Sequence, residues 1–77
     1  MDKKEKIKLD FANNLQRLRN EKNLSIRGLA NSAGLEYSQV QRIESGKVNV
    51  ALSTIFSLAE GLGVEASQLL SFPHPEK

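Results

Sequence analysis

The sequence contains no cysteine and only one histidine, His74. The first absence excludes a disulfide framework and a thiolate metal site. The second leaves almost no material for a Ser-His-Asp triad or a multi-histidine metal centre. Long apolar runs are missing as well. The longest is three residues, against the roughly twenty that a membrane-spanning helix needs. The N-terminal lysines are followed by no apolar block, so a secretory signal is not expected. No stretch alternates β-branched residues with a period of two, so strands are not expected either. These exclusions point to a soluble, cytoplasmic, non-enzymatic binding domain. No metal, cofactor, membrane contact or small-molecule ligand is evident in it.

Seventy-seven residues, 39% of them apolar, suffice for one compact core and not for two. A domain of this size has only a few kcal/mol of stability to spare, and self-association would add to it. The 26% of charged residues is ordinary for a globular chain, but their distribution is uneven. Residues 11–47 carry six cations (Arg17, Arg19, Lys22, Arg27, Arg42 and Lys47) against three acids. Residues 48–77 carry Lys77 against Glu60, Glu65 and Glu76. A basic front with an acidic back suits a module that meets a polyanion with one side. The same counts also describe an ordinary solvated surface.

Along the chain, Ile7, Phe11, Leu15 and Leu18 recur at spacings of four and three, one face of a helix ending near Asn23. Ser25 is placed to cap a second, short helix carrying Ile26, Leu29 and Ala30. Gly34 punctuates the chain before a third helix, about Tyr37 to Ser45, apolar at Val40 and Ile43. Gly46 ends that helix. Leu52, Ile55, Phe56, Leu58, Ala59 and Leu62 form a fourth and most apolar helix, closed by Gly61 and Gly63. Val64, Ala66, Leu69 and Leu70 give a last short one before the prolines at 73 and 75. The organisation expected is a partly frayed basic arm over 1–8, a helical domain over 9–71 and a proline-containing tail over 72–77. The lysines at 3, 4, 6 and 8 read as a disordered solubilising tail or, alternatively, as an arm that follows a polyanion backbone.

The second and third helices meet across a glycine-containing turn crowded with small residues, Ala30, Ala33 and Gly34. A tight helix–helix crossing needs small side chains and a residue that tolerates positive φ. The outer side of the third helix carries Tyr37, Ser38, Gln41 and Arg42. These are hydrogen-bonding types able to read base edges: Arg pairs with guanine and Gln with adenine.

Leu24-Ser25, Leu29-Ala30, Gly34, Val40 and the run Arg42-Ile43-Glu44-Ser45-Gly46-Lys47 together resemble the Cro- and phage-repressor-like helix-turn-helix family, the XRE family. Leu15-Gln16-Arg17-Leu18-Arg19 extends the resemblance backwards. Leu52, Ala59, Leu62-Gly63-Val64 and Leu69-Leu70 extend it forwards, so that it covers about residues 9–70. The resemblance implies an all-α, compact five-helix lambda-repressor-like domain, with helices two and three as the helix-turn-helix and the third in the DNA major groove. Carried over by position, base contacts fall on Tyr37, Ser38, Gln39, Gln41 and Arg42. Phosphate contacts fall on Ser25, Arg27, Lys47 and Asn49. Arg19 and Glu44 become a structural ion pair. Val64, Leu69, Leu70 and Phe72 are the candidate dimer seam. Alternatively, they close the monomer core.

The sequence departs from the family pattern at several positions. Ile26 replaces a phosphate-holding glutamine, Glu36 a Ser/Thr cap, and Val50 and Ala51 a frequent proline and serine. Gly61 stands where alanine is common and is expected to loosen the end of the fourth helix. The reading that results is a sequence-specific double-stranded DNA-binding transcriptional regulator, acting as a homodimer on a roughly palindromic operator. The alternative, kept alive by Ile26 and Glu36, is a protein-interaction module of the same fold. An antitoxin-like protein with weak or lost DNA binding is one example.

Overall fold

The computed structural model describes residues 2–72, and among these every regular element is a helix. Asp2 starts the first: its carboxylate accepts from the Glu5 amide at 2.8 Å, so that α1 runs Lys3–Glu21. From Lys3 to Lys8 the segment expected to be a partly frayed arm is therefore the opening of α1. Besides the Asp2 cap, a Lys6–Asp10 ion pair at 3.0 Å bridges one turn. Ile7 and Leu9 also pack toward the chain's later loops. Asn23, at φ +58°, turns the chain out of α1.

Ser25 opens α2 (Ile26–Ala33), its hydroxyl oxygen accepting from the Gly28 amide at 2.9 Å. Gly34 ends α2 in the left-handed region at φ +70°, and the Leu35 amide closes on the Ala30 carbonyl at 2.9 Å. A Cβ on Gly34 would meet nothing within 4 Å. Glycine is thus required there by backbone conformation and not by crowding. Three residues later α3 begins (Tyr37–Glu44), followed by α4 (Leu52–Leu62) and the single-turn α5 (Ala66–Leu69). Neither Glu36 nor Ala51 caps its helix with a side chain, in keeping with their departure from the family pattern.

The core is built from Leu15, Leu29, Val40, Leu58 and Leu69, all fully buried, with Phe11, Leu18, Ile43, Ala59 and Leu62 around them. Asn14 is buried among them. Its amide nitrogen donates to the Gln68 and Leu69 carbonyls at 2.9 Å each, and its oxygen accepts from Arg17 at 2.6 Å. Two carbonyls at the end of α5 are thereby satisfied from α1. Phe72 then meets Phe11 edge to face, ring centroids 6.4 Å apart.

Two further expectations change. Leu69 has no exposed surface and belongs to the monomer core, so it leaves the dimer seam. Gly61 does not loosen α4. A Cβ there would lie 2.8 Å from the Ala33 Cβ and 2.9 Å from its backbone nitrogen, so glycine lets α4 approach the end of α2. No helix among the described residues is long and apolar enough to cross a membrane. Of the tail, only Phe72 is described; His74 lies outside the described residues.

Candidate nucleic-acid interface

The interface is organised by how α3 is seated. Val40, Ile43 and Glu44 are buried, which turns Tyr37, Ser38, Gln41 and Arg42 outward, all exposed, with Gln39 half-buried at their edge. Positions 37, 38, 41 and 42 form two adjacent columns one turn apart, a continuous strip on one face. Eight residues at 1.5 Å each make a rod about 12 Å long. That length is comparable to the width of the B-DNA major groove, about 12 Å.

Three contacts fix the rod. Arg19 holds Glu44 through two bonds, Nε to Oε2 at 2.7 Å and Nη2 to Oε1 at 3.1 Å. Its remaining nitrogen, Nη1, donates to the Leu24 carbonyl at 2.7 Å. One guanidinium thus ties α1, the turn before α2 and the end of α3 together. Gln16 adds a second tie from α1, donating to the Glu44 backbone carbonyl at 2.9 Å. At the other end of α3, Arg27 of α2 lies over the Tyr37 ring, its Cζ 4.6 Å from the centroid. This cation–π contact joins the exposed starts of the two helices.

The remaining candidates flank this strip. Ser25 is exposed at the start of α2. Its oxygen already accepts the Gly28 amide, and its hydroxyl proton is left to donate outward. Lys47 and Asn49 are exposed in the loop between α3 and α4. A cleft of about 170 Å³ runs from Gln39 and Arg42 to Asn49 and Thr54, so the α3 strip continues into that loop. Ile26 packs against the core, which explains an apolar residue there. The exposed Glu36 is the one acid beside the strip. Among the described residues no cluster of three metal-ligating side chains occurs.

Sequence reasoning did not single out Asn14, Gln16 as a clamp, Thr54, or the Arg27–Tyr37 stack. Each depends on how separate elements are packed together, which periodicity does not encode. The four residues offered as a seam are dispersed: Leu69 is in the core, Val64 and Phe72 are half-buried, and Leu70 is exposed. Among the described residues the most exposed large apolar side chains are instead Leu52, at 69%, and Phe56, at 57%, one turn apart on α4.

Comparison with known proteins places this geometry among regulators. The helix-turn-helix family HTH_3 matches residues 15–69. The control protein C.MunI of Mycoplasma sp. is 39% identical over 66 residues, which span 84% of this chain and 89% of that protein. The crystal structure of the restriction-modification controller protein C.AhdI from Aeromonas hydrophila superposes with a TM-score of 0.78 at 39% identity, over 80% of this chain and 94% of that one. A hypothetical transcription factor, NHTF from Neisseria, gives 0.82 at 34% identity, over 95% and 84%.

Proposed function

The chain belongs to the HTH_3 helix-turn-helix family and is a DNA-binding transcriptional regulator, not an enzyme; from that premise we propose that it is a cytoplasmic restriction-modification controller that binds a two-fold operator as a homodimer. The observation that carries this reading is the exposed strip of Tyr37, Ser38, Gln41 and Arg42 on a helix held rigid from behind by Arg19.

In this reading Arg42 and Gln41 make bidentate base contacts, each worth about 1–3 kcal/mol of discrimination. Ser38 and Gln39 hydrogen-bond neighbouring edges. Tyr37, steadied by Arg27, lies against a base at the start of the helix. Ser25, Arg27, Lys47 and Asn49 bind phosphates on both sides and set the register. The controller assignment is supported by the likeness to C.MunI and C.AhdI over most of all three chains.

The dimer is argued from surface chemistry. Leu52, Phe56 and Leu70 expose apolar area, and burying it against a second copy would stabilise a small domain. Two α3 rods would then lie about 34 Å apart, one turn of DNA. Selection of bound sequences from a random duplex pool tests the whole reading. It should enrich two inverted half-sites at that spacing. Enrichment of a single half-site would exclude the dimeric mode, and no enrichment would exclude sequence-specific binding.

A further inference from the structure

We propose that Lys8, on the N-terminal extension of α1, is an additional phosphate contact that widens the DNA footprint beyond the helix-turn-helix. This inference rests on the reading that Lys47 and Asn49 face the DNA backbone. Lys8 lies outside the 15–69 segment that matches the family, so the proposal concerns a part of the chain beyond the helix-turn-helix match.

The extension is ordered, with Asp2 capping it and α1 helical from Lys3. It is also seated on the loop that follows α3. A Cβ on Gly46 would lie 2.9 Å from the Leu9 Cδ1 and 3.3 Å from the Leu9 Cα, so α1 and the loop are in direct contact at Leu9. This contact brings Lys8 beside Lys47, and both line one open cleft of about 460 Å³, with Glu5 as its only acid among the described residues. Lys8 also borders a second cleft together with Asn49. Neither Lys8 nor Lys47 has an ion-pair partner among the described residues. Two unpaired ammonium groups from separate elements therefore share one cleft at the C-terminal end of α3. Both stems are anchored on folded backbone, so a bridging phosphate need order only the side chains. An anion with closely spaced oxygens along a backbone fits such a pair.

Lys6 provides the internal control. It lies about 200° around the helix from Lys8 and is engaged by Asp10 at 3.0 Å. The two lysines carry the same charge and differ in where they stand.

The test measures the affinity of the full chain for a mixed-sequence duplex as a function of salt, for the parent, Lys8→Gln, Lys8→Arg, Lys6→Gln and Lys47→Gln. Far-UV circular dichroism checks that α1 stays helical in each. Losing one phosphate contact lowers the slope of log affinity against log salt by about 0.9 per protomer, a change of about 3.5-fold in relative affinity between 50 and 200 mM salt. The expected result is this loss for Lys8→Gln and Lys47→Gln, with Lys8→Arg and Lys6→Gln at the parental slope. An unchanged slope for Lys8→Gln overturns the proposal, as does an equal loss for Lys6→Gln, which would report net charge alone. A loss in Lys8→Arg as large as in Lys8→Gln also overturns it. If Lys47→Gln leaves the slope unchanged, the loop does not face DNA and the underlying reading fails. If Lys47→Gln lowers the slope and Lys8→Gln does not, only the present inference fails.

Discussion

Replacing Arg19 with methionine should be among the most damaging single changes in this domain. The Glu44 side chain is only 6% exposed, and both hydrogen bonds recorded to its carboxylate come from Arg19. Gln16 does not substitute, because it donates to the Glu44 backbone carbonyl. The variant leaves a buried, unpaired carboxylate, a cost of about 3–5 kcal/mol. A 77-residue domain has roughly 4–12 kcal/mol of total stability. At about 4–8 °C per kcal/mol, the melting temperature should fall by at least about 12 °C. The converse change, Glu44→Leu, should cost less. The Arg19 side chain, 14% exposed, can direct its head toward water and keep its bond to the Leu24 carbonyl. The double variant Arg19→Met/Glu44→Leu removes both charges and leaves only the Leu24 carbonyl short of a donor, about 1 kcal/mol. Urea unfolding followed at 222 nm for all four proteins gives the coupling energy. The reasoning is refuted if Arg19→Met costs under about 1 kcal/mol, or if the double variant costs the sum of the two singles.

Gly61→Ala should destabilise by about 1–3 kcal/mol in thermal melts, despite alanine's better helix propensity. The new methyl meets Ala33 backbone at 2.9–3.0 Å, and a stabilised protein would show that the helices separate freely. Gly34→Ala should cost about 1–2 kcal/mol through positive φ alone, with Gly34→Asn milder; equal melting of the two variants would contradict the strain argument. Arg42→Ala should weaken operator binding and relax preference at one base pair by about 1–3 kcal/mol with helicity unchanged, and an unaltered selection profile would remove Arg42 from the base-reading set. Phe56→Glu should shift the sedimenting species toward monomer while leaving the fold intact, since Phe56 is 57% exposed; a mass equal to the parent's would move the seam off α4.

The parts of this molecule that are legible in its sequence are governed by local rules. The five helices, the Ser25 cap, the left-handed positions at Asn23, Gly34 and Gly46 and the outward strip of α3 all follow from residue type and period. The Arg19–Glu44 contact was reached only by resemblance, since nothing in a 25-residue separation signals proximity. The errors share one cause. At Gly61, at Leu69 and over residues 1–8 intrinsic tendency alone predicts otherwise: glycine loosens helices, exposed-looking C-terminal leucines associate, and lysine-rich starts fray. In each case a distant element decides instead. Ala33 approaches Gly61, the core takes Leu69, and Gly46 receives Leu9. The last of these bears most on function. A solvated lysine on a loose arm loses conformational freedom when it binds a phosphate, whereas one on a helix already seated against the loop proposed to bind phosphate loses much less. In this proposal Lys6 and Lys8 therefore carry different weight according to their register on α1. Lys8 stands on the loop side, and Lys6 is held by Asp10.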